Sequence, residues 1–189
     1  MRKLASDFRY TISLEGTTLR GGRALDSTTV SLGADSDLIR LRIKRSLADI
    51  PSEVTVVGYD WKGTQAAVQG QATASDLLTT SGGKTASALV AEVWGAVPLL
   101  VESERLLEEG DASALARGLL QTRADRFIDG EVECLGTPDA RPGRLLVLTD
   151  LGSASGTYRI RATRHQLDPA AGYKTTIWFY SDSLPSESA

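Results

Sequence analysis

Cysteine and histidine are nearly absent from this sequence, and both side chains are common in metal sites and nucleophilic catalysis. A single Cys134 excludes an internal disulfide and a CxxC metal site, and the single His165 would leave a zinc ion to carboxylates. A Ser-His-Asp triad could use only His165, and a Cys-His pair could only join Cys134 to it. We therefore expect no cofactor, no metal and no enzymatic activity.

Long apolar runs and an excess of positive charge are also missing. No stretch approaches the roughly 18 apolar residues that cross a bilayer, so we expect no membrane insertion. The charged start Met1–Asp7 predicts no secretory signal, and hence assembly in the cytoplasm. The 21 Lys and Arg residues are outnumbered by 24 Asp and Glu, giving a net charge of −3. A broadly basic surface for nucleic acid is therefore not expected.

What the chain has is an ordinary globular composition, with 41% hydrophobic and 24% charged residues in a length of 189. Short alternating segments bounded by Gly, Pro and Asp predict a mainly β fold with α, an antiparallel β-barrel with one or two packed helices. We expect a β-rich part over 1–74, an irregular or helical connection over 75–110, a helix and four strands over 111–182, and a flexible tail over 183–189.

The segment Asp37–Arg45 shows the alternation clearly. Ile39, Leu41 and Ile43 are predicted to share one face of a strand. The opposite face carries a basic row of Arg40, Arg42 and Lys44. This row is either a solvated strand face or a surface that meets a partner. We include it as a possible interface.

The second half of the sequence predicts one helix and four strands. Apolar spacing predicts a helix that Asp111 caps and Gly130 ends. The predicted strands are Glu131–Leu135, Arg144–Thr149, Thr157–Thr163 and Tyr173–Tyr180. In the last strand Trp178 and Tyr180 lie on the face opposite Ile177 and Phe179. They are either covered by a second layer of the domain or form part of a subunit interface.

An ordered set of short motifs follows the predicted helix. They are a helix ending at Gly130, then Gly136-Thr137-Pro138, Pro142-Gly143, Gly156-Thr157-Tyr158, His165-Gln166-Leu167-Asp168 and Gly172-Tyr173-Lys174-Thr175. In order and spacing this set resembles the phage late control gene D proteins. The resemblance implies a structural baseplate hub of a contractile phage tail or related injection system, such as type VI secretion. It implies a homotrimeric ring whose partners are a spike protein, the tail tube and other baseplate proteins.

The same resemblance marks nine residues as structural, namely Gly130, Pro142, Gly143, Gly156, Tyr158, His165, Asp168, Gly172 and Tyr173. Pro142 and Gly143 suit a turn, and each tyrosine can bury its ring while its hydroxyl finds a partner. We expect His165 to be a hydrogen-bonded structural residue. Asp168 would either orient its imidazole or cap the turn Pro169–Gly172.

Two other functions stay open at the level of sequence. One is a monomeric β-barrel that binds an oligosaccharide or peptide, which would be favoured if Trp61, Trp94 and Trp178 converged on one groove. The other is a hydrolase that uses His165 with Cys134 or a serine, although no Gly-x-Ser-x-Gly elbow is present.

Overall fold

A computed structural model describes residues 11–15, 17–22, 27–35, 38–60, 66–103, 108–170 and 172–185. Trp61 lies outside this part of the chain. So does Phe8–Tyr10, the beginning of the segment Phe8–Leu14, whose alternation of apolar and polar residues predicts a strand. Contacts divide the chain into two units, which we describe separately. The first unit is Met1–Ala24, Asp49–Leu78 and Thr85–Ala124, and the second is Leu25–Ala48, Thr79–Lys84 and Asp125–Ala189. The domain boundaries expected from the sequence stay a prediction.

The described residues form strands and two helices, which confirms the mainly β class with α. The strands are β1 (Thr11–Glu15), β2 (Thr18–Gly22), β3 (Thr29–Gly33), β4 (Leu38–Arg45), β5 (Glu53–Tyr59), β6 (Ala67–Thr73), β7 (Gly82–Thr85), β8 (Pro98–Glu102), β9 (Ile128–Leu135), β10 (Leu145–Thr149), β11 (Gly156–Asp168), β12 (Gly172–Ser181) and β13 (Ser183–Pro185). The helices are α1 (Ala86–Trp94) and α2 (Glu109–Ala124). Short 3-10 turns cover Ala74–Asp76 and Gly152–Ala154.

The first unit is built on a sheet of order β6-β5-β8, in which β5 and β6 are antiparallel and β5 and β8 parallel. Helix α2 packs on β5 and β6 through a stripe of buried residues at every fourth position, Ala112, Ala116, Leu120 and Ala124. Small residues allow the helix and the sheet to approach each other closely. A Cβ on Gly70 of β6 would lie 2.1 Å from the backbone nitrogen of Ser113 in α2. Strands β1 and β2 form a separate antiparallel pair.

The second unit is built on a six-stranded sheet of order β3-β10-β11-β12-β9-β4. The four strands predicted from the second half of the sequence are all present as β9 to β12. Alternate residues of these strands form the buried face, and the largest of them are Tyr158, Phe179, Ile128, Leu146, Leu148, Ile160 and Ile177. Strand β13 pairs with β7, so Ser183–Pro185 of the predicted tail is part of a sheet.

The predicted barrel differs from the observed sheets in two ways. The pairs β3–β10 and β5–β8 are parallel, so the sheets are mixed rather than antiparallel. Among the described strands there is no closed barrel, because β3 and β4 end the six-stranded sheet. The sheet is nevertheless curved. Gly33 ends β3 and Leu38 begins β4, and five peptide units can place their Cα atoms at most about 19 Å apart. In a flat sheet, the five spacings between neighbouring strands would place β3 and β4 about 24 Å apart.

Three local predictions were wrong. Helix α2 begins at Glu109 and not after an Asp111 cap, so Asp111 lies in its first turn. It ends at Ala124, and Gly130 is not its stop but the third residue of β9. The reason is that the even-numbered residues from Ile128 to Cys134 are all buried by sheet packing, a period of two that overrides the helical pattern.

The third error concerns Ile39, which was predicted on the apolar face of β4. The register between β4 and β9 shifts between Leu38 and Arg40, so Ile39 is an extra residue in a β-bulge. Its side chain is consequently 47% exposed. Leu41 and Ile43 are half-buried, and the basic residues that alternate with them are exposed.

Candidate interaction face of the six-stranded sheet

Strands β4, β9, β12 and β11 lie side by side and carry one polar face, which we call the outer face. Its registered rows run across the four strands as Arg40–Glu133–Thr176–Arg164, Arg42–Glu131–Trp178–Ala162 and Lys44–Asp129–Tyr180–Arg159. The outer face therefore brings together all five residues that the sequence marked as a possible interface. The alternation of buried and exposed residues in β9 and β12 places these rows opposite the core.

The acidic row of β9 lies between the basic row of β4 and the basic residues of β11 and β12. Glu133 is 3.4 Å from Arg40 and 4.0 Å from Lys174. These pairs are partly exposed, so each contributes little to stability, about 0–1 kcal/mol. They show that Glu133 of β9 lies near basic residues of both neighbouring strands.

Basic side chains outnumber acidic ones on the outer face, although the chain as a whole is acidic. The basic residues that are exposed or half-buried there are Arg40, Arg42, Lys44, Arg161, Arg164 and Lys174, and the acidic residues are Asp129, Glu131, Glu133 and Asp168. Arg159 is not counted, because it is buried and its guanidinium donates to the Gly143 carbonyl oxygen at 2.8 Å. The outer face is thus a positively charged surface, suited to an acidic partner.

A second β-bulge re-aims Arg161. The register between β11 and β12 shifts between Ile160 and Ala162, which makes Arg161 the extra residue. Its guanidinium lies 5.1 Å from the centre of the Tyr180 ring and pairs with Asp129 at 2.5 Å. The bulge therefore joins β11, β12 and β9 by one cation–π contact and one ion pair.

Trp178 occupies the centre of the outer face and is half-buried. Its cross-strand neighbours are Glu131 on β9 and the small Ala162 on β11. A large aromatic side chain with a small neighbour and a ring of charges around it has the composition of an interface anchor. Tyr180 lies on the next row and is half-buried too.

The signature residues lie mostly elsewhere, and His165 forms the centre of their hydrogen-bond network. Its Nε2 is 3.1 Å from the Ala140 carbonyl oxygen, which can only accept, so Nε2 carries a proton. Its Nδ1 is 2.9 Å from the Tyr173 hydroxyl and 3.2 Å from Thr175 Oγ1. Thr175 is fully buried and accepts the Thr137 backbone N–H at 3.0 Å. The network ties the segment 136–143 to the β11–β12 hairpin.

His165 itself is exposed, whereas Thr175 and Cys134 are buried. Nε2 of the ring lies beside the Ala140 carbonyl oxygen, and Nδ1 lies beside the Thr175 hydroxyl. Thr175 has no exposed surface. Cys134 is buried and contacts the Thr175 carbonyl oxygen at 3.5 Å.

Tyr158 is fully buried beside Phe179, with ring centres 4.8 Å apart, and its hydroxyl donates to the Ala154 carbonyl at 2.8 Å. Burial raises the pKa of Tyr158 above its usual value of 10.0, while the charge and hydrogen bond of Arg45 oppose that rise. The Arg45 guanidinium also donates to the Ser153 carbonyl, which fixes the Gly152–Ala154 turn against β4.

The remaining signature residues shape turns. Gly143, Gly156 and Gly172 all have positive φ, at 91°, 149° and 75°. Gly143, which follows Pro142 in its turn, donates to the Ile160 carbonyl at 2.9 Å. Asp168 accepts the Ala170 N–H at 2.8 Å, which supports the second of its two predicted roles, the cap of the hairpin turn.

Sequence patterns alone missed the acidic row of β9 and one glycine. Asp129, Glu131 and Glu133 alternate with the same period as the basic row of β4, and that match could have suggested the pairing. Gly136 was noted only as part of a turn, yet a Cβ there would lie 1.8 Å from the Tyr173 ring. Of the tryptophans that a binding groove would have to bring together, Trp94 belongs to the first unit and Trp178 to the second.

Within the described chain, no helix is both long and apolar enough to cross a bilayer. The same part of the chain contains no group of three or more His, Cys, Asp or Glu side chains arranged to hold a metal ion.

Comparison of the fold with solved structures finds phage tail proteins. The 43 kDa tail protein of prophage MuSo2 from Shewanella oneidensis superposes with a TM-score of 0.68 at 17% identity, over 94% of this chain and 51% of that one. A tail protein from Neisseria meningitidis MC58 gives a TM-score of 0.57 at 15% identity, over 94% and 52%. A structure of the native gene transfer agent virion gives 0.52 at 16% identity, over 98% and 40%.

No family model and no curated protein matches the sequence. This chain spans about half the length of the first two tail proteins. At these identities the likeness concerns the fold alone. The described chain therefore has the fold of a region found within longer phage tail proteins.

Proposed function

We propose that this protein is a structural component of a contractile phage tail or related injection system, a baseplate hub that adapts the tail tube to the spike as a homotrimeric ring. The observation that carries the proposal is the shared fold with tail proteins over 94% of the chain. The ordered motif set that resembles late control gene D proteins supports the same assignment. The function is assembly and not catalysis.

The physical features of the second unit suit such a role. A ring protein has to present rigid, complementary surfaces to its neighbours, and strands hold side chains at fixed spacings. The outer face offers a preset pattern of charges around Trp178. The network of His165, Thr175 and Tyr173 stiffens the adjoining hairpin, so the signature residues support the scaffold.

Electron microscopy of the purified chain, alone and with tube and spike proteins expressed from neighbouring genes, tests this function. We expect three-fold rings that join the tube on one side and the spike on the other. Particles without rotational symmetry, together with no retention of this chain on tube or spike, would overturn the proposal.

A further inference from the structure

A second surface, in the first unit, carries exposed apolar side chains. Val93 is 60% exposed, Trp94 61%, Val97 39% and Leu100 64%. They fall within eight consecutive residues, from the end of α1 into β8, and we call these four residues the Trp94 patch. Four large apolar side chains exposed within so short a segment make it a candidate interaction site.

Val93 and Trp94 continue the apolar side of α1. The buried residues of α1 are Ala86, Ser87 and Val90. At 100° per residue, Val93 and Trp94 lie on the same side of the helix as these residues. The apolar stripe of α1 thus continues past the point where its own unit covers it. Gly95, with φ of 77°, then ends the helix and turns the chain into β8.

Two glutamates flank the patch in the sequence. Leu100 and Glu102 both lie on the exposed side of β8, whose register places them beside Thr55 and Val57 of β5. Glu92 precedes Val93 in α1, and Glu102 follows Leu100 by two residues on the same side of β8; both glutamates are exposed. An occupant of complementary chemistry is therefore aromatic or apolar, with basic residues around it.

We propose that the Trp94 patch of one copy binds the outer face of a second copy. The outer face has the required chemistry, since it carries Trp178 and Tyr180 among an excess of basic side chains. Trp94 would bury its ring against this aromatic row, and the exposed Arg42 would supply a cation–π contact. The inference rests on the proposed self-assembly and names the two surfaces that make it.

The contact joins two different surfaces, so it is heterologous. Contacts of this kind generate closed rings when the rotation between copies closes. An open chain of copies keeps one unused patch at one end and one unused outer face at the other until it closes, which makes the pairing testable by complementation.

Two variants separate the surfaces. The patch variant carries Trp94→Ala and Leu100→Ala, with Leu78→Ala as its control, because Leu78 is an exposed apolar residue of the same unit at 59%. The face variant carries Arg40→Gln, Arg42→Gln and Lys44→Gln. Glutamine is used because a carboxylate at these positions would repel the acidic residues of β9. Its control is Arg141→Gln, an exposed basic residue outside the outer face. Trp178→Ala is a second face variant that changes no charge. Circular dichroism checks that each is folded.

Sedimentation velocity gives the outcome. We expect each variant alone to lose self-association by at least tenfold in Kd, while both controls assemble as the wild type does. An equimolar mixture of the patch and face variants should form a dimer and stop there, because each partner keeps one intact surface. Assembly of either variant at wild-type strength, or a mixture that stays monomeric, would overturn this contact.

The failures are distinguishable. If the wild type and the variants assemble equally well, the contact between the patch and the outer face is wrong. The proposed ring is unaffected by that result. A wild-type chain that is monomeric at every concentration, alone and with tube and spike proteins, overturns both.

Discussion

Gly130 on β9 lies directly beneath the ring of Phe179 on β12. The two residues are registered partners across the strands, and a Cβ on Gly130 would come within 2.3 Å of the Phe179 ring. Phe179 cannot easily move away, because it is fully buried and its other neighbour is the Tyr158 ring at 4.8 Å between centres. The glycine is therefore a packing requirement of the core.

Substitution Gly130→Ala should destabilise the protein by about 1–3 kcal/mol, the usual cost of overpacking a core. Urea unfolding followed by tryptophan fluorescence measures the free energy. Gly110→Ala is the control, since Gly110 lies in α2 and a Cβ on it would meet nothing within 4 Å. That change should be neutral or stabilise by up to about 1 kcal/mol. Equal effects at both positions would refute the packing account.

Tyr158→Phe should cost about 1 kcal/mol near neutral pH, because it removes the hydrogen bond to the Ala154 carbonyl. The raised pKa of Tyr158 adds a pH dependence. In the unfolded chain this phenol loses its proton from about pH 10, whereas the folded protein retains it. The associated stability is complete below that pH and is lost as pH rises through the folded pKa.

Unfolding free energies of the wild type and Tyr158→Phe should therefore fall at different rates above pH 10, with the wild type falling faster. The difference between the two isolates this phenol from other groups that titrate in the same range. Parallel curves up to pH 11 would contradict a buried, protonated Tyr158.

His165→Ala should loosen the segment 136–143, because the imidazole joins the Ala140 carbonyl to Thr175 and Tyr173. Hydrogen exchange should accelerate at least tenfold at the Thr137 amide, whose acceptor is Thr175 Oγ1. Gln166→Ala, an exposed neighbour on the same strand, is the control and should leave exchange unchanged. A segment as protected in His165→Ala as in the wild type would remove the anchoring role.

Asp182→Ala should destabilise by about 1–3 kcal/mol, since it removes a fully buried acceptor and leaves its donors unsatisfied. Asp182 accepts the Thr80 N–H at 3.1 Å and the Ser183 hydroxyl at 3.0 Å. Asp139→Ala is the matched control, because that side chain is 80% exposed in its pair with Arg144. Thermal melts compare the two, and a Tm for Asp182→Ala as high as that of the control would argue against the buried network.

Sequence patterns predicted the strands well because a period of two is a local property. Strands β9 to β12 were all recognisable from their own residues. Parallel pairing was not, since the partners β3 and β10 are distant in sequence and nothing local records the direction of a neighbour. The end of α2 was misjudged because Phe127 continues its apolar spacing, while only the sheet explains why Ile128 begins a strand.

The candidate interface was predicted in part. Alternation alone separated the basic row of β4 and the aromatic pair of β12 from the residues on the opposite face of each strand, and left open what lies against them. Their placement on one face depends on β9 lying between them, and on two bulges at Ile39 and Arg161 that no periodicity reveals. The exposure of the Trp94 patch likewise depends on what the rest of the fold leaves uncovered.

The mass of the purified protein in solution, measured by sedimentation equilibrium from nanomolar to high micromolar concentration, tests the central claim most directly. Self-assembly through complementary surfaces predicts a concentration-dependent rise to three times the monomer mass of 20.2 kDa. A single species at the monomer mass over the whole range, unchanged when tube and spike proteins are added, would contradict it.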